Sequence, residues 1–362
     1  MNRRASVVAV SGIKNSGKTG LIVRLIPELA KRGLRIATVK HDGHSFEADR
    51  PGTDSFRHLE AGAVGTAVFD GEKFQLVRHA VVDEDFLIAQ FPDADLILLE
   101  GFKDSLFPKL EIVRAAVSQQ PVSSTSTRLA LVTDLEFASP GCPVFAPDDI
   151  EGIADFLFRF TQLGRRFSAI LLAGGYSSRM GKNKAELPFG GMRMLDYQVH
   201  RLRLLGIEEI LIAGYSGSLA YSDRSGCGND PAVRIVPDLF PHRGPLSGIH
   251  AGLTAAGHAS CLVLSVDAPL VPYSVLLELI EQHIAGVTVL GHDGQVEPLI
   301  GVYDRALAPL CGEILAGENS SVRQLFARAD FRVFPSKAEP LLLSNCNTPE
   351  EYARLVRRFS GP

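Results

Sequence analysis

The chain has 362 residues, more than one hydrophobic core usually fills, so two domains are expected. Apolar residues make up 46% and charged residues 22%, which excludes a disordered chain; a net charge of −4 gives no reason to expect nucleic acid or a membrane surface as partner. No apolar run is long enough for a bilayer span, the N-terminus lacks signal-peptide form, and Cys142, Cys227, Cys261, Cys311 and Cys346 lack any CxxC spacing, so neither a disulfide framework nor a zinc site is expected and a reducing cytoplasm is.

Taken in order, Ala5–Val10 reads as a buried strand and Lys18–Lys31 as the helix after it. Arg35–Lys40 reads as a strand and Asp54–Ala61 as helix. The continuous apolar run Leu96-Ile97-Leu98-Leu99 is typical of a parallel strand covered on both faces, and Leu129–Thr133 is another. Ile150–Phe160 reads as an amphipathic helix closing this unit, and Gln162–Arg166 is the expected boundary. The pattern then restarts with strand Ala169–Ala173, helix Leu195–Leu205, strands Glu209–Ala213 and Val233–Val236, and helix Leu246–Ala256. Strand Cys261–Val266, helix Ser274–His283, strand Leu341–Leu343 and a last helix from Pro349 follow. Strands separated by helices predict α/β sheets that are parallel or mostly so, in domains spanning 1–163 and 167–362.

The first unit carries a phosphate cradle. Gly12-Ile13-Lys14-Asn15-Ser16-Gly17-Lys18-Thr19 fits G-x-x-x-x-G-K-[ST], between a strand and a helix as that mechanism requires. The glycines let backbone N–H groups turn inward, the helix N-terminus adds its positive end, Lys18 supplies a cation for the outer phosphates, and Thr19 an oxygen for Mg²⁺. Glu100, directly after the apolar strand, is the candidate second metal oxygen, because strand C-termini face the ligand crevice. Asp95 precedes that run and belongs at the other end. His41 and His44 stand three apart, but without Cys or a further His they read as a polar loop near phosphates.

With this P-loop, the segments Thr38–His44, Gly52–Arg57 and Leu98–Lys103, together with Asp49, give the first unit from about Ser6 to Phe160 a resemblance to the molybdopterin-guanine dinucleotide biosynthesis adapter family, MobB. The resemblance implies a P-loop NTPase-like sheet that binds GTP and partners a cofactor-forming transferase, with homodimerisation through this half.

In the second unit, Leu172-Ala173-Gly174-Gly175 follows a strand and leads through Arg179 to Lys184. Paired glycines permit close approach to a nucleotide, Arg179 can clamp phosphate bidentately, and Lys184 adds a point charge; Arg179 and Lys184, together with Asp267, are the candidate catalytic groups. Asp267 ends an apolar strand before Ala268-Pro269, which leaves a carboxylate in the crevice for Mg²⁺. Asp238, after another strand, is a candidate for base or ribose contact or a turn-forming acid. Thr348, Pro349 and Glu351 fit a helix cap, which leaves Asn345 and Asn347 free to read a polar ligand; Cys346 between them reads as buried filler.

The segments running from Leu172 to Ala185, from Pro237 to Ile249, from Ser265 to Pro272 and from Asn345 to Tyr352 resemble the molybdenum cofactor guanylyltransferases, MobA, across Ser168 to Phe359. That resemblance implies a nucleotide-diphospho-sugar-transferase-like, Rossmann-type sheet. Gly174, Gly175 and Lys184 would hold GTP as substrate, Arg179 its phosphates and Asp267 Mg²⁺, with Asn345 and Asn347 on the molybdopterin side. The partners implied are molybdopterin, molybdenum insertion proteins and apo-molybdoenzymes. Members often carry His-Pro where this chain has Glu297-Pro298. A cytidylyltransferase for the same cofactor, or another NTP-dependent nucleotidyltransferase such as a sugar-nucleotidyltransferase on the same fold, is the alternative, which base preference would separate.

Overall fold

The structure, a computed structural model, describes residues 4–42, 46, 48–138, 140–174, 183–219 and 232–360. The first half runs β1 (Ser6–Ser11), α1 (Lys18–Lys31), β2 (Ile36–Lys40), α2 (Asp54–Glu60), β3 (Gly65–Phe69), β4 (Phe74–Arg78), α3 (Glu84–Ile88), β5 (Leu96–Glu100), β6 (Lys109–Val113), β7 (Arg128–Thr133), β8 (Val144–Phe145) and α4 (Ile150–Leu163). The second runs β9 (Phe167–Leu172), β10 (Pro188–Phe189), β11 (Met192–Arg193), α5 (Met194–Leu204), β12 (Glu209–Ala213), β13 (Val233–Val236), α6 (Pro245–Ala255), β14 (Ser260–Ser265) and α7 (Tyr273–Gln282). It closes with β15 (Val287–His292), β16 (Gln295–Asp304), α8 (Ala308–Ala316), α9 (Val322–Phe326), β17 (Phe331–Pro335), α10 (Pro340–Leu343) and α11 (Pro349–Ser360).

The first sheet has the order β2-β5-β1-β6-β7-β8, all its pairs parallel. Its central strands are buried along their length, as sheets with helices on both faces require. In α1 the apolar residues Leu21, Ile22, Leu25 and Leu29 share one face and seat the helix on the sheet. Asp95 lies just before β5, buried against Arg35 at 3.1 Å, at the end of the sheet away from Glu100. A separate antiparallel ribbon, β3–β4, stands outside this sheet; Asp70 starts its turn by accepting from Glu72 N and Lys73 N.

The second sheet has the order β13-β12-β9-β14-β16-β15-β17. The four strands β13, β12, β9 and β14 are parallel, whereas β16 runs antiparallel to both β14 and β15. The chain therefore extends a parallel nucleotide-binding sheet with an antiparallel addition that the helix–strand alternation did not foretell. Leu341–Leu343, expected as strand, is the helix α10: Pro340 occupies its first turn, where a missing N–H costs no bond, and a three-leucine run carries no period of its own.

One continuous apolar cluster crosses the junction, from Leu25, Leu98 and Phe156 in the first half to Leu171, Leu202 and Leu276 in the second. Gly164 sits where the chain passes from α4 to β9; a β-carbon there would come 2.3 Å from the Leu205 carbonyl, so the close approach requires glycine. The polar contacts across the junction come from the N-terminal side of the first sheet. The carbonyls of Leu106 and Gly141, before β6 and β8, accept from Tyr273 (3.3 Å) and Ser274 (3.0 Å). Arg159 pairs with Glu281 at 3.6 Å.

Candidate nucleotide sites and family

Both halves place their loops where strand order reverses, the place at which open α/β sheets bind ligands. In the first, β1 leads straight into the glycine loop, and Val10 faces Glu100 in the β1–β5 register. Gly12 has φ of +137°, and a β-carbon would lie 2.6 Å from the Ile112 carbonyl and 2.7 Å from Ser16 Oγ. Asn15 and Gly17 also have positive φ, so the loop curls and then opens α1 at Gly17. Lys18 Nζ donates to the carbonyls of Gly12 (3.0 Å) and Ile13 (2.7 Å), folding over the loop. Burial holds its amine below its usual value, with Glu100 opposing. Thr19 Oγ1 donates to Glu100 Oε1 at 2.7 Å, and Lys40 lies 3.8 Å from the same oxygen. Ser16, 2% exposed, leaves its hydroxyl without a partner. The loop thus gathers an unengaged hydroxyl, a cation and a Thr–Glu oxygen pair, the oxygen donors that suit a hard divalent cation.

His41 packs edge-on against Phe102, with ring centroids 5.7 Å apart, while Gly43 and His44 lie outside the described residues. Thr53 caps α2 through Phe56 N.

The second crevice forms between β9 and β14, where the chain turns one way to β12 and the other to β14. Leu172 and Ala173 are buried, and Ala173 N donates to the Ala213 carbonyl at 2.9 Å. Gly174 meets Gly214, which sequence reasoning missed: a β-carbon on Gly214 would lie 2.8 Å from the α-carbon of Gly174. The available signal was a glycine at the end of β12, on the crevice side of the sheet. Gly175 and Arg179 fall within residues 175–182, outside those described.

Lys184, in a short helical turn after this loop, joins the remaining segments. Its Nζ lies 2.5 Å from Asp267 Oδ2 and 2.7 Å from Asn347 Oδ1. Asp267 Oδ1 accepts from Ser265 at 2.5 Å, and the Asp267 carbonyl accepts from Cys346 N at 2.9 Å. Three stretches distant in sequence thereby converge on one cation. Asn345 has a buried amide oxygen without a partner, whereas burial pushes the Cys346 thiol up to about 12 and leaves it unreactive. The Asn345–Thr348 segment is fixed from behind by Glu351, whose Oε2 accepts from Asn347 N (2.7 Å) and Thr348 N (3.0 Å) while Thr348 Oγ1 caps Glu351 N.

Asp238 serves its own loop, accepting from Phe240 N at 3.0 Å and from Ser247, at the start of α6. Glu297 lies on β16 and pairs with His292 Nε2 at 3.2 Å. Ile300 faces Leu264, so the residues just before it continue toward the end of β14 where Asp267 stands. Among the described residues no group of three or more His, Cys, Asp or Glu gathers into a metal cage. A cation at Asp267 or at Thr19–Glu100 would therefore depend on ligand oxygens to complete its shell, as Mg²⁺ at nucleotides commonly does.

A P-loop module and a glycine-loop module with a carboxylate at the switch point together define a two-part nucleotide-handling protein of the nucleotidyltransferase class. The family model for molybdopterin guanine dinucleotide synthesis protein B matches residues 7–134, and that for the MobA-like NTP transferase domain matches residues 169–333. A probable molybdenum cofactor guanylyltransferase of Carboxydothermus hydrogenoformans is 33% identical over 205 residues, covering 54% of this chain and 98% of its own. Molybdopterin-guanine dinucleotide biosynthesis adapter proteins of Haemophilus influenzae and Escherichia coli are 33% and 30% identical, covering 37% and 43% of this chain and 78% and 93% of their own. The chain belongs to the molybdenum cofactor guanylyltransferases through its second half and to the molybdopterin-guanine dinucleotide adapter proteins through its first. It is a nucleotidyltransferase fused to an adapter domain.

Proposed function

We propose that the second half transfers GMP from GTP to molybdopterin, forming molybdopterin guanine dinucleotide and pyrophosphate, and that the first half binds GTP and assists in handling the cofactor. The observation that carries this reading is the convergence of Lys184, Asp267 and Asn347 at the switch-point crevice. It sets a cation, a carboxylate and the asparagine segment together at the end of β14, beside the end of β9. We assign residues 1–163 to the adapter domain and 167–362 to the transferase domain, with 164–166 as the junction.

Gly174 and Gly175, with Leu172 and Ala173, let the backbone approach the triphosphate. Arg179 and Lys184 face the charge that develops as the terminal phosphate of molybdopterin attacks the α-phosphate in line. One P–O bond forms to the pterin phosphate, and the bond to the β-phosphate breaks, its electrons leaving with pyrophosphate. The attacking phosphate is already ionised near neutrality, so no side chain has to remove a proton. Mg²⁺ held by Asp267 would neutralise charge on the α-phosphate and on the leaving pyrophosphate. With the nucleotide in place Lys184 exchanges its bond to Asp267 for phosphate oxygens. Asp238 is proposed to lie beside the base or ribose, and Asn345, with its unengaged amide oxygen, reads the pterin together with Asn347. In the first half, the loop from Gly12 through Asn15, Ser16 and Gly17 to Lys18 cradles phosphates, and Thr19 with Glu100 would hold Mg²⁺ there to neutralise phosphate charge. No helix among the described residues is long and apolar enough to cross a membrane, and a cytoplasmic setting suits this chemistry.

The test offers GTP, CTP and ATP separately, with Mg²⁺ and molybdopterin, and follows pyrophosphate release. GTP-dependent release with a guanine-containing pterin product is the expected result. Release with CTP alone would move the assignment to cytidylyl transfer, and no release with any nucleotide would overturn it.

A further inference from the structure

Asp267 stands on a connection, not on a strand or a helix, and a group at a reacting phosphate must be held to within a fraction of an ångström. The strand ladder reaches only to Val266, whose N–H donates to the Leu172 carbonyl at 2.9 Å, and the Asp267 carbonyl accepts from Cys346 N. Two side chains on one face of α5 hold the carbonyls on either side of Asp267. Gln198, fully buried, directs Nε2 to the carbonyls of Ser265 (3.2 Å), Val266 (3.4 Å) and Ala268 (3.1 Å). Arg201, three residues on and so one turn along the same face, donates Nη1 to the Pro269 carbonyl at 2.7 Å and Nη2 to the Val271 carbonyl. The carbonyls on both sides of Asp267 are thus tied to one rigid helix.

Arg201 is an unusual choice for this task. It is 2% exposed, and its guanidinium carbon lies 4.7 Å from the centroid of the Tyr273 ring and 5.8 Å from that of Tyr197. A buried charge is costly unless its donors are used and its field is answered; carbonyl dipoles at both Nη atoms and the ring faces answer it here, although the buried Nε has no partner. The same Nη2 lies 3.5 Å from the Ser126 carbonyl, which belongs to the first half, just before β7. A neutral side chain of similar length would fill the space but could not hold these carbonyls together.

We propose that Gln198 and Arg201 are positioning residues for nucleotidyl transfer, fixing the Asp267 loop to α5, and that through Arg201 the docked first half becomes part of that fixing. The inference rests on Asp267 acting at the transfer site. Neither residue touches substrate; both act through the loop they hold.

The test uses the full chain with Gln198→Met, Arg201→Met and Arg201→Lys, and with Asp267→Asn as a separate check of the site itself. The two Met variants should raise the Mg²⁺ concentration for half-maximal pyrophosphate release about tenfold or more, as loss of support behind a metal-binding group commonly does. They should lower kcat with little change in the KM for GTP, and Lys at position 201 should recover most of the loss. Lowered thermal stability alone, with kcat and Mg²⁺ requirement at parental values, would reduce both residues to packing and overturn the proposal. Full turnover by Asp267→Asn would instead sink the reading of the site. A readout independent of activity and of any variant is amide hydrogen exchange in the unmodified protein. The amides of Asp267, Ala268, Leu270 and Val271 should be protected to a degree close to β14, and rapid exchange there would overturn the proposal. In Arg201→Met, exchange should quicken at residues 124–127 as well as in the loop, and in Gln198→Met in the loop alone.

Discussion

Replacing Lys184 by Met separates two roles of one ammonium group, the bridge seen in the structure and the phosphate contact proposed for it. The group bridges Asp267 at 2.5 Å and Asn347 at 2.7 Å, with the Lys184 and Asp267 side chains 13% and 11% exposed. Hydrogen bonds to charged groups at such depth contribute about 1.5–3 kcal/mol, and removing the lysine leaves Asp267 without its cation, so Lys184→Met should lower unfolding stability by about that amount. On the proposed mechanism the same group meets the developing phosphate charge, and its loss should lower kcat about 10²–10³-fold, as loss of a single preorganised donor does. Asp267→Asn completes a double-variant cycle. In denaturant titrations the pair should show a coupling of about 1.5–3 kcal/mol, while in turnover the double variant should be little worse than either single one, because groups acting as a unit are not additive. The reasoning would be refuted by Lys184→Met with kcat within about threefold of the parent, or by a stability coupling inside the usual additivity error of about 0.5 kcal/mol.

Three further outcomes are expected. Lys18→Ala should remove one nucleotide from the binding stoichiometry and leave transfer in purified components within a few-fold of the parent; a large loss of transfer would contradict independent nucleotide sites. Lys109, on β6, has an amine that burial pushes down to about 7 against the opposing pull of Glu111 and Asp104, and it donates to the Phe107 carbonyl at 2.9 Å. Between that value and the ordinary 10.5 the unfolded chain holds a proton that the folded chain gives up, so stability rises with pH there, by up to about 1.4 kcal/mol per unit. Stability curves of parent and Lys109→Met that run parallel over this interval would exclude the assignment. Glu351→Ala should cost about 1 kcal/mol by opening the capping box and should raise the KM for molybdopterin through release of Asn347; an unchanged KM would detach the cap from the site.

Local chemistry made much of this molecule legible. The P-loop, the strand before it and Glu100 at the next strand's end follow from rules acting over a few residues, and the same holds for Asp267 after its apolar run. What stayed hidden was relational. The β3–β4 ribbon had a signal in Asp70-Gly71 between apolar runs, a pair typical of tight hairpin turns. The antiparallel β16 did not, because alternation with helices fixes strand existence better than strand direction. Leu341–Leu343 misled because a short apolar run has no period to distinguish helix from strand. Gln198 and Arg201 fall within the expected helix Leu195–Leu205 without any sequence signal of their own; only the placement of α5 against the Asp267 loop gives them a task. Arg179 and Gly175 remain sequence-based proposals, outside the described residues.

The junction uses the edge of the first sheet where its strands begin, at Leu106, Ser126 and Gly141, whereas the P-loop lies where they end. The contacts that join the halves thus lie at the opposite end of the first sheet from its P-loop. Covalent fusion on these terms guarantees equal copy number and a shared address, and it leads us to expect no private corridor. A dinucleotide product leaving the transfer crevice should then enter bulk water before it meets the adapter surface of its own chain or of another. A soluble scavenger of that product should intercept it in competition with delivery, and the yield of loaded acceptor should fall as scavenger is added.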